Sequence, residues 1–303
     1  MSTLPDLFPG FAERRFETAP GVEIYARICG CGPPLLLLHG YPQTHAAWHK
    51  VAPALAEHCT LVIADLRGYG ASSAPTGDPE HKTHSKRAMA EDCVALMYAL
   101  GHHRFMIAGH DRGGRVAYRL ALDHPEAVSA LIPVDIIPTA EVWRRTTAES
   151  MLKSYHWAFL AQPHPMPETL IGKDPDGYLE HTLRSWAKPR DLSPFAPEAL
   201  AHYRALLRDP ACVHAVCEDY RAGATIDRRL DEADIAAGRR ISCPTFVLWG
   251  RSYLAGDPVE IWRDWCTNVS GRAVDSGHFL MEENPRASLA ALVPFLQSLR
   301  DPT

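Results

Sequence analysis

Short, nearly continuous apolar runs alternate along this chain with longer stretches whose apolar residues recur at helical spacing. Leu35–His39, Leu61–Asp65, Phe105–Gly109, Leu131–Asp135 and Thr245–Trp249 are the apolar runs. Each predicts a strand covered on both faces. Between them, Lys86–Leu100 sets Met89, Cys93, Leu96, Met97 and Leu100 at steps of four, three, one and three, which traces one face of a helix. Strand–helix alternation predicts a mostly parallel sheet flanked by helices, an α/β fold. The alternation stops between about Ile137 and Gly238, a stretch with no convincing strand that contains Trp143, Trp157 and Trp186. Pro133, Pro138 and a Pro163–Pro167 cluster punctuate its start and interior. The pattern predicts a sheet core over 1–138, an inserted helical cap over 139–238, and core again over 239–303. No period of the kind that marks a solenoid or propeller occurs.

Composition excludes several classes of function. The 303 residues are 46% hydrophobic and 22% charged, the profile of an ordinary globular protein. Lys plus Arg number 31 against 36 Asp plus Glu, a formal charge of −5. No excess of positive charge draws the chain onto nucleic acid or an anionic membrane. The strongest apolar run, Leu35–Leu38, is far short of the ~20 residues a membrane span needs. The start, MSTLPDLFPGF, lacks the charged-then-apolar pattern of a secretory signal. Eight cysteines include no C-x-x-C pair, and Cys29 and Cys31 fit neither a usual zinc pattern nor a disulfide framework. Buried free thiols and a cytoplasmic location are expected.

The most informative stretch is Phe105-Met-Ile-Ala-Gly-His-Asp111-Arg-Gly-Gly-Arg115. A predicted strand runs into Gly109-His110-Asp111-Arg112-Gly113 and then into a helix. This is the spacing of a nucleophile elbow, a tight turn that pushes one side chain out above the sheet. Small flanking residues permit the turn, and the following helix aims its first amides at developing negative charge. An acidic helix cap explains an Asp at this position equally well. Three further segments favour the elbow. His39-Gly40-Tyr41-Pro42 ends a strand where an oxyanion-binding amide would sit, with the Tyr41 and Arg112 amides as candidates. Asp65-Leu-Arg-Gly-Tyr-Gly70 is a second strand-to-loop junction, and Ser276-Gly277-His278-Phe279 precedes a helix starting near Asn284-Pro285. The order nucleophile, acid, histidine is that of the α/β-hydrolases, and the four segments together resemble that fold over nearly the whole chain. The expected architecture is therefore an α/β-hydrolase core with an inserted helical cap.

An Asp nucleophile narrows the chemistry. A serine attacking an alkyl carbon forms an ether that water does not readily cleave, whereas a carboxylate forms an ester that an activated water can open. Dehalogenation or epoxide opening is expected, rather than peptidase or esterase chemistry. Two acids compete to orient His278: Asp135, at the end of a predicted strand, and Asp257, in a Gly-Asp-Pro turn. Asp135 is favoured, because a structural role is equally natural in such a turn. Arg112 and Arg115 lie three residues apart at the helix start, and their natural partner is a substrate carboxylate.

The segments HGYPQTHAAWH, ADLRGYG, AGHDRGGR, VDIIPT, YHWAFLAQP, CEDYRAGA and SGHFLMEENP resemble the fluoroacetate and haloacetate dehalogenases. That resemblance implies Asp111 as nucleophile, His278 as base, Asp135 as its acid, and Arg112 and Arg115 on the substrate carboxylate. It also implies His156, Trp157 and Tyr220 around the halide, residues that offer N–H and O–H donors. On residue type alone, Trp157 and Tyr220 fit core packing of a cap equally well. The family implies a cytoplasmic homodimer without cofactor or metal, acting on a small anionic haloacid and water. The loop Gly250–Asp257 looks shorter than usual for the family and brings Asp257 into contention. His45 and His49 stand at i, i+4 without a third ligand, so no metal is expected there. The rivals are an epoxide hydrolase with the same Asp–His logic, a haloalkane dehalogenase, which needs no arginine pair, and a non-catalytic receptor of this fold, which needs no triad.

Overall fold

A computed structural model describes residues 4–254 and 256–300. Its sheet has eight strands: β1 (Ala12–Ala19), β2 (Val22–Cys29), β3 (Pro34–Leu38), β4 (Thr60–Ala64), β5 (Phe105–His110), β6 (Val128–Val134), β7 (Thr245–Gly250) and β8 (Val269–Val274). Their spatial order is β1-β2-β4-β3-β5-β6-β7-β8. The pairs β1–β2 and β2–β4 are antiparallel, and every pair from β4 to β8 is parallel. The five apolar runs correspond to β3 to β7. Three strands escape that pattern, for a physical reason. β1 and β8 lie at the sheet edges and are largely exposed, so they carry polar residues, and β2 pairs antiparallel beside an edge, where a continuous apolar run is not required.

Alternation within the central strands builds two cores. Leu36, Leu38, Val62, Ile107 and Leu131 face one side, and Leu35, Leu37, Leu61, Met106 and Ile132 face the other. Helices α1 (Ala52–Ala56), α2 (Lys86–Ala99) and α3 (Arg112–Asp123) lie in the first half of the core. Met89 and Cys93 of α2 and Val116 and Leu120 of α3 fill the first side, while Leu55 of α1 fills the second.

After β6 come eight helices: α4 (Thr139–Arg144), α5 (Ala148–Lys153), α6 (Tyr155–Leu160), α7 (Met166–Ile171), α8 (Pro175–Trp186), α9 (Pro197–Arg208), α10 (Pro210–Ala224) and α11 (Ile226–Ala236). They form the insertion before β7. The chain then closes with α12 (Pro258–Trp265), α13 (Leu280–Glu283) and α14 (Pro285–Ser298), which Asn284 caps. Because β3 to β8 run parallel, their C-terminal ends share one edge of the sheet. That edge is where ligands of open parallel sheets bind.

Candidate active site

Asp111 joins β5 to α3 with φ 45° and ψ −112°, a region where a residue with a side chain is strained. Its neighbours explain how the turn closes. A Cβ on Gly109 would stand 2.3 Å from the Gly113 carbonyl oxygen, and one on Gly113 would stand 2.4 Å from the His39 carbonyl oxygen. Only glycine fits at either place. The Gly113 amide donates to that His39 carbonyl at 2.9 Å, which ties the elbow to the end of β3. The alternative helix-cap role is not seen: the Asp111 side chain accepts no hydrogen bond from the first turn of α3.

The Tyr41 amide instead donates to Asp111 Oδ1 at 3.0 Å. Asp111 Oδ2 lies 3.9 Å from His278 Nε2, and that nitrogen makes no hydrogen bond among the described residues. His278 Nδ1 meets Asp135 Oδ2 at 2.5 Å, while the Gly250 amide donates to Asp135 Oδ1 at 2.8 Å. Asp257 stands elsewhere, exposed, with its Oδ1 accepting from the Val259 amide at the start of α12. Within Gly250–Asp257, Ala255 lies outside the described residues.

Charge follows from burial and neighbours. Burial opposes ionisation of Asp111, but His278, Arg115 and Arg112 outweigh it and hold the carboxyl at about 2. Burial lowers His278 to about 4, so at neutral pH the arginines alone sustain that effect. The result is a carboxylate beside a neutral imidazole whose free nitrogen can take a proton.

A cavity of about 210 Å³ opens on these groups, lined among others by Asp111, Arg115, His156, Trp157, Tyr253 and His278. Arg115 Nη1 donates to Ile137 O and Thr139 Oγ1, both at 3.1 Å. Its Nε has no partner within the protein, and its guanidinium lies 4.5 Å over the Trp157 ring. Arg112 is placed differently from the sequence expectation of a matched pair. It lies behind the cavity lining, with Nε 2.9 Å and Nη2 2.5 Å from the Asp219 carboxylate. Only its Nη1 lacks a protein partner.

His156 and Trp157 on α6 meet Tyr220 on α10, with ring centroids 5.7 and 6.0 Å from the tyrosine. Burial lowers His156 to about 3, so it is neutral. His156 Nδ1 and Tyr220 Oη are buried without partners among the described residues, a costly condition unless a ligand satisfies them.

Sequence reasoning missed Asp219, Lys86, Trp186 and Tyr253. The Tyr253 ring lies 4.3 Å from that of His278, and the Trp186 ring 4.4 Å from that of His156. Asp219 gave no local signal: in sequence it stands with Glu218 and Arg221 inside Cys217–Gly223, and only the fold buries that run. Among the described residues, one group brings three metal-capable atoms within 4.8 Å: His164, Glu168 and His214. Arg221 grips both oxygens of Glu168, at 2.9 and 3.2 Å, so a fixed cation already balances that carboxylate. Among the described residues no helix is long and apolar enough to cross a membrane.

Comparison with known proteins places this geometry. The model of the alpha/beta hydrolase fold matches residues 33–285. The chain is 44% identical to a fluoroacetate dehalogenase of Burkholderia sp over 97% of its own length and 96% of that protein's. It is 33% identical to a soluble epoxide hydrolase of Corynebacterium sp. (strain C12), covering 92% and 96%. A solved structure from Pseudomonas aeruginosa, provisionally named an epoxide hydrolase and carrying bound MFA, superposes with a TM-score of 0.90 at 48% identity, covering 98% and 99%. With an elbow aspartate, a buried Asp–His pair and near-complete coverage of such relatives, the chain belongs to the α/β-hydrolase superfamily and, within it, to the fluoroacetate and haloacetate dehalogenase family.

Proposed function

We propose that the protein hydrolyses a short 2-haloacid, fluoroacetate or chloroacetate, to glycolate and halide through an ester on Asp111. The observation that carries this reading is a buried, ionised elbow carboxylate 3.9 Å from a neutral histidine, with Arg115 in the same cavity. About 210 Å³ is small beside the ~300–1,000 Å³ of drug-sized sites and suits a substrate of a few heavy atoms.

In the first step Asp111 attacks the halogen-bearing carbon, a C–O bond forms, and the C–X pair departs as halide. His156, Trp157 and Tyr220 receive that charge as donors in a dry site. Arg115 holds the substrate carboxylate, and Arg112 contributes its charge and Nη1. In the second step His278 takes a proton from water, which attacks the ester carbonyl of Asp111. The Tyr41 amide, already 3.0 Å from Oδ1, and the Arg112 amide stabilise the oxyanion. The tetrahedral intermediate then collapses: the acyl–O bond breaks and the departing glycolate alkoxide takes the proton from His278, which restores the neutral imidazole. The proton left on the Asp111 carboxyl passes to solvent, which restores the carboxylate. Asp135 orients His278 and stabilises its charged form.

The epoxide hydrolase reading draws on the Corynebacterium relative and keeps Asp111 and His278, with Tyr220 as proton donor. A neutral epoxide leaves the buried charge of Arg115 without a substrate partner, which favours the haloacid. Purified protein is offered fluoroacetate, chloroacetate and styrene oxide. Halide release without diol is expected, and diol without halide release reverses the assignment.

The reading also places the enzyme in the cytoplasm, supported by eight free cysteines, and as a homodimer. Leu152, Met166 and Leu170 of the cap are 80%, 46% and 54% exposed, apolar side chains that a second copy would cover. A single-chain mass by light scattering removes the dimer.

A further inference from the structure

Arg112 shares its carboxylate partner with a second buried cation. Asp219, fully buried on α10, accepts from Arg112, from Tyr69 Oη at 2.8 Å and from Lys86 Nζ. Lys86 is 1% exposed at the start of α2, and neither it nor Asp219 lines the catalytic cavity. Burying an ammonium group is costly, and one cation is enough to balance Asp219. A second carboxylate supplies the reason. Asp227 on α11 accepts from the Lys86 amide at 2.9 Å, and its Oδ2 makes no hydrogen bond. Burial raises the Asp227 carboxyl, and the Lys86 charge and amide oppose that rise. With Arg112 alone, the charge of Asp219 and what charge Asp227 carries would cancel the arginine's before it reached the site. The arginine in turn lies 4.2 Å over the Tyr220 ring and 5.5 Å from that of Trp157, the residues assigned above to the halide.

We propose that Asp219 and Lys86 are positioning residues for anion binding. Asp219 fixes the Arg112 guanidinium so that Nη1 alone stays free, and Lys86 engages Asp219 so that Arg112 keeps its charge toward the site. This rests on the haloacid reading.

The arrangement makes anion binding depend on pH. Arg112 faces Lys86 from α3, Asp219 from α10 and Asp227 from α11, and Met89 Sδ on the lysine's own helix lies 3.7 Å from its Nζ. Burial, then Arg112, lowers the Lys86 ammonium to about 8, against the two carboxylates. As pH rises through that value the lysine becomes neutral, and the grip on an anion weakens.

The test measures KM and kcat for chloroacetate from about pH 6 to about pH 9.5 on wild type, Lys86→Met and Lys86→Arg. Wild-type KM is expected to climb as pH passes about 8. At pH 7, Lys86→Met should raise KM roughly 5- to 30-fold with kcat within about twofold, because the lost charge acts on ground state and transition state alike. Its KM should then be flat with pH, and Lys86→Arg should stay low and flat. A merely structural lysine predicts a lower Tm for Lys86→Met with KM and its alkaline rise intact, which overturns the proposal. Should Lys86→Met fail to fold, wild type decides alone, and a KM that is level across the range overturns it. Wild type that releases no halide from chloroacetate defeats the haloacid reading itself and this proposal with it, a failure distinct from the others.

Discussion

Asp111, Asp135 and His278 follow the C-terminal ends of β5, β6 and β8, whereas His156, Trp157 and Tyr220 stand on two cap helices, α6 and α10. The strand-borne half is internally bonded: Tyr41 to Asp111, Gly250 and His278 to Asp135. The cap-borne half holds its donors open, with His156 Nδ1 and Tyr220 Oη unpartnered in the protein. A nucleophile must be aimed before substrate arrives, while a leaving-group site has to meet charge that exists only as the bond breaks. In the proposed mechanism the first half therefore governs whether the ester forms and is hydrolysed, and the second which halide can leave.

Variants sharpen that contrast. Asp111→Asn should cost at least ~10⁴-fold in turnover, the scale of losing a covalent nucleophile or its partner. Wild type cycling in ¹⁸O water should place label in the Asp111 peptide. Label in glycolate during a single turnover, with an unlabelled peptide, means direct water attack. His278→Gln should lose steady-state turnover on a similar scale while still releasing one equivalent of halide, because alkylation needs no base. A mass spectrum without the trapped ester contradicts this. Asp135→Asn should slow the same step by ~10⁴-fold. Asp257→Ala should leave activity intact and cost about 1 kcal/mol of stability, as a lost helix cap does; the reverse ranking would exchange the acids.

On the cap side, Trp157→Phe or Tyr220→Phe should cost fluoroacetate turnover about 10²- to 10³-fold and chloroacetate turnover much less, since chloride needs less help. Equal losses on both would make these residues packing only. Arg115→Gln should lower kcat/KM roughly 10- to 100-fold, and fluoroacetamide should be a poor substrate of wild type. Equal use of acid and amide refutes a carboxylate clamp.

The smallest effect is that of mild acid. His278 acts neutral as the base of ester hydrolysis, so kcat should hold through neutral pH and fall only as pH drops toward about 4. Stability should weaken sooner. Burial lowers His110, His156 and His278, whereas the unfolded chain binds those protons near pH ~6.5, so unfolding gains as pH falls below that value. Urea midpoints unchanged between about pH 7 and about pH 5 would contradict this.

How much of the site is legible in the chain differs between its halves. The elbow was readable because Gly109 and Gly113 are demanded by contacts only a few residues away or at the neighbouring strand end. The central strands were readable because burial on both faces forces apolar runs. β1 and β8 were not, because edge strands carry no such demand. The sequence favoured Asp135 over Asp257 only because a Gly-Asp-Pro turn offers a structural role; the fold adds that Asp135 follows β6 and meets His278, while Asp257 caps α12. Arg112 and Arg115 looked like a matched pair, yet Asp219, 107 residues further along the chain, holds one of them away from the cavity.

By itself the sequence determined the fold class, the elbow and the candidate reactive groups, because periodicity, glycine demand and side-chain chemistry act over a few residues. The tertiary structure alone decided which acid meets His278, which arginine lines the cavity, and that a buried lysine balances the other's partner. Those are contacts between elements distant in sequence. Their electrostatics depend on burial and separation, and neither is written in any local stretch of the chain.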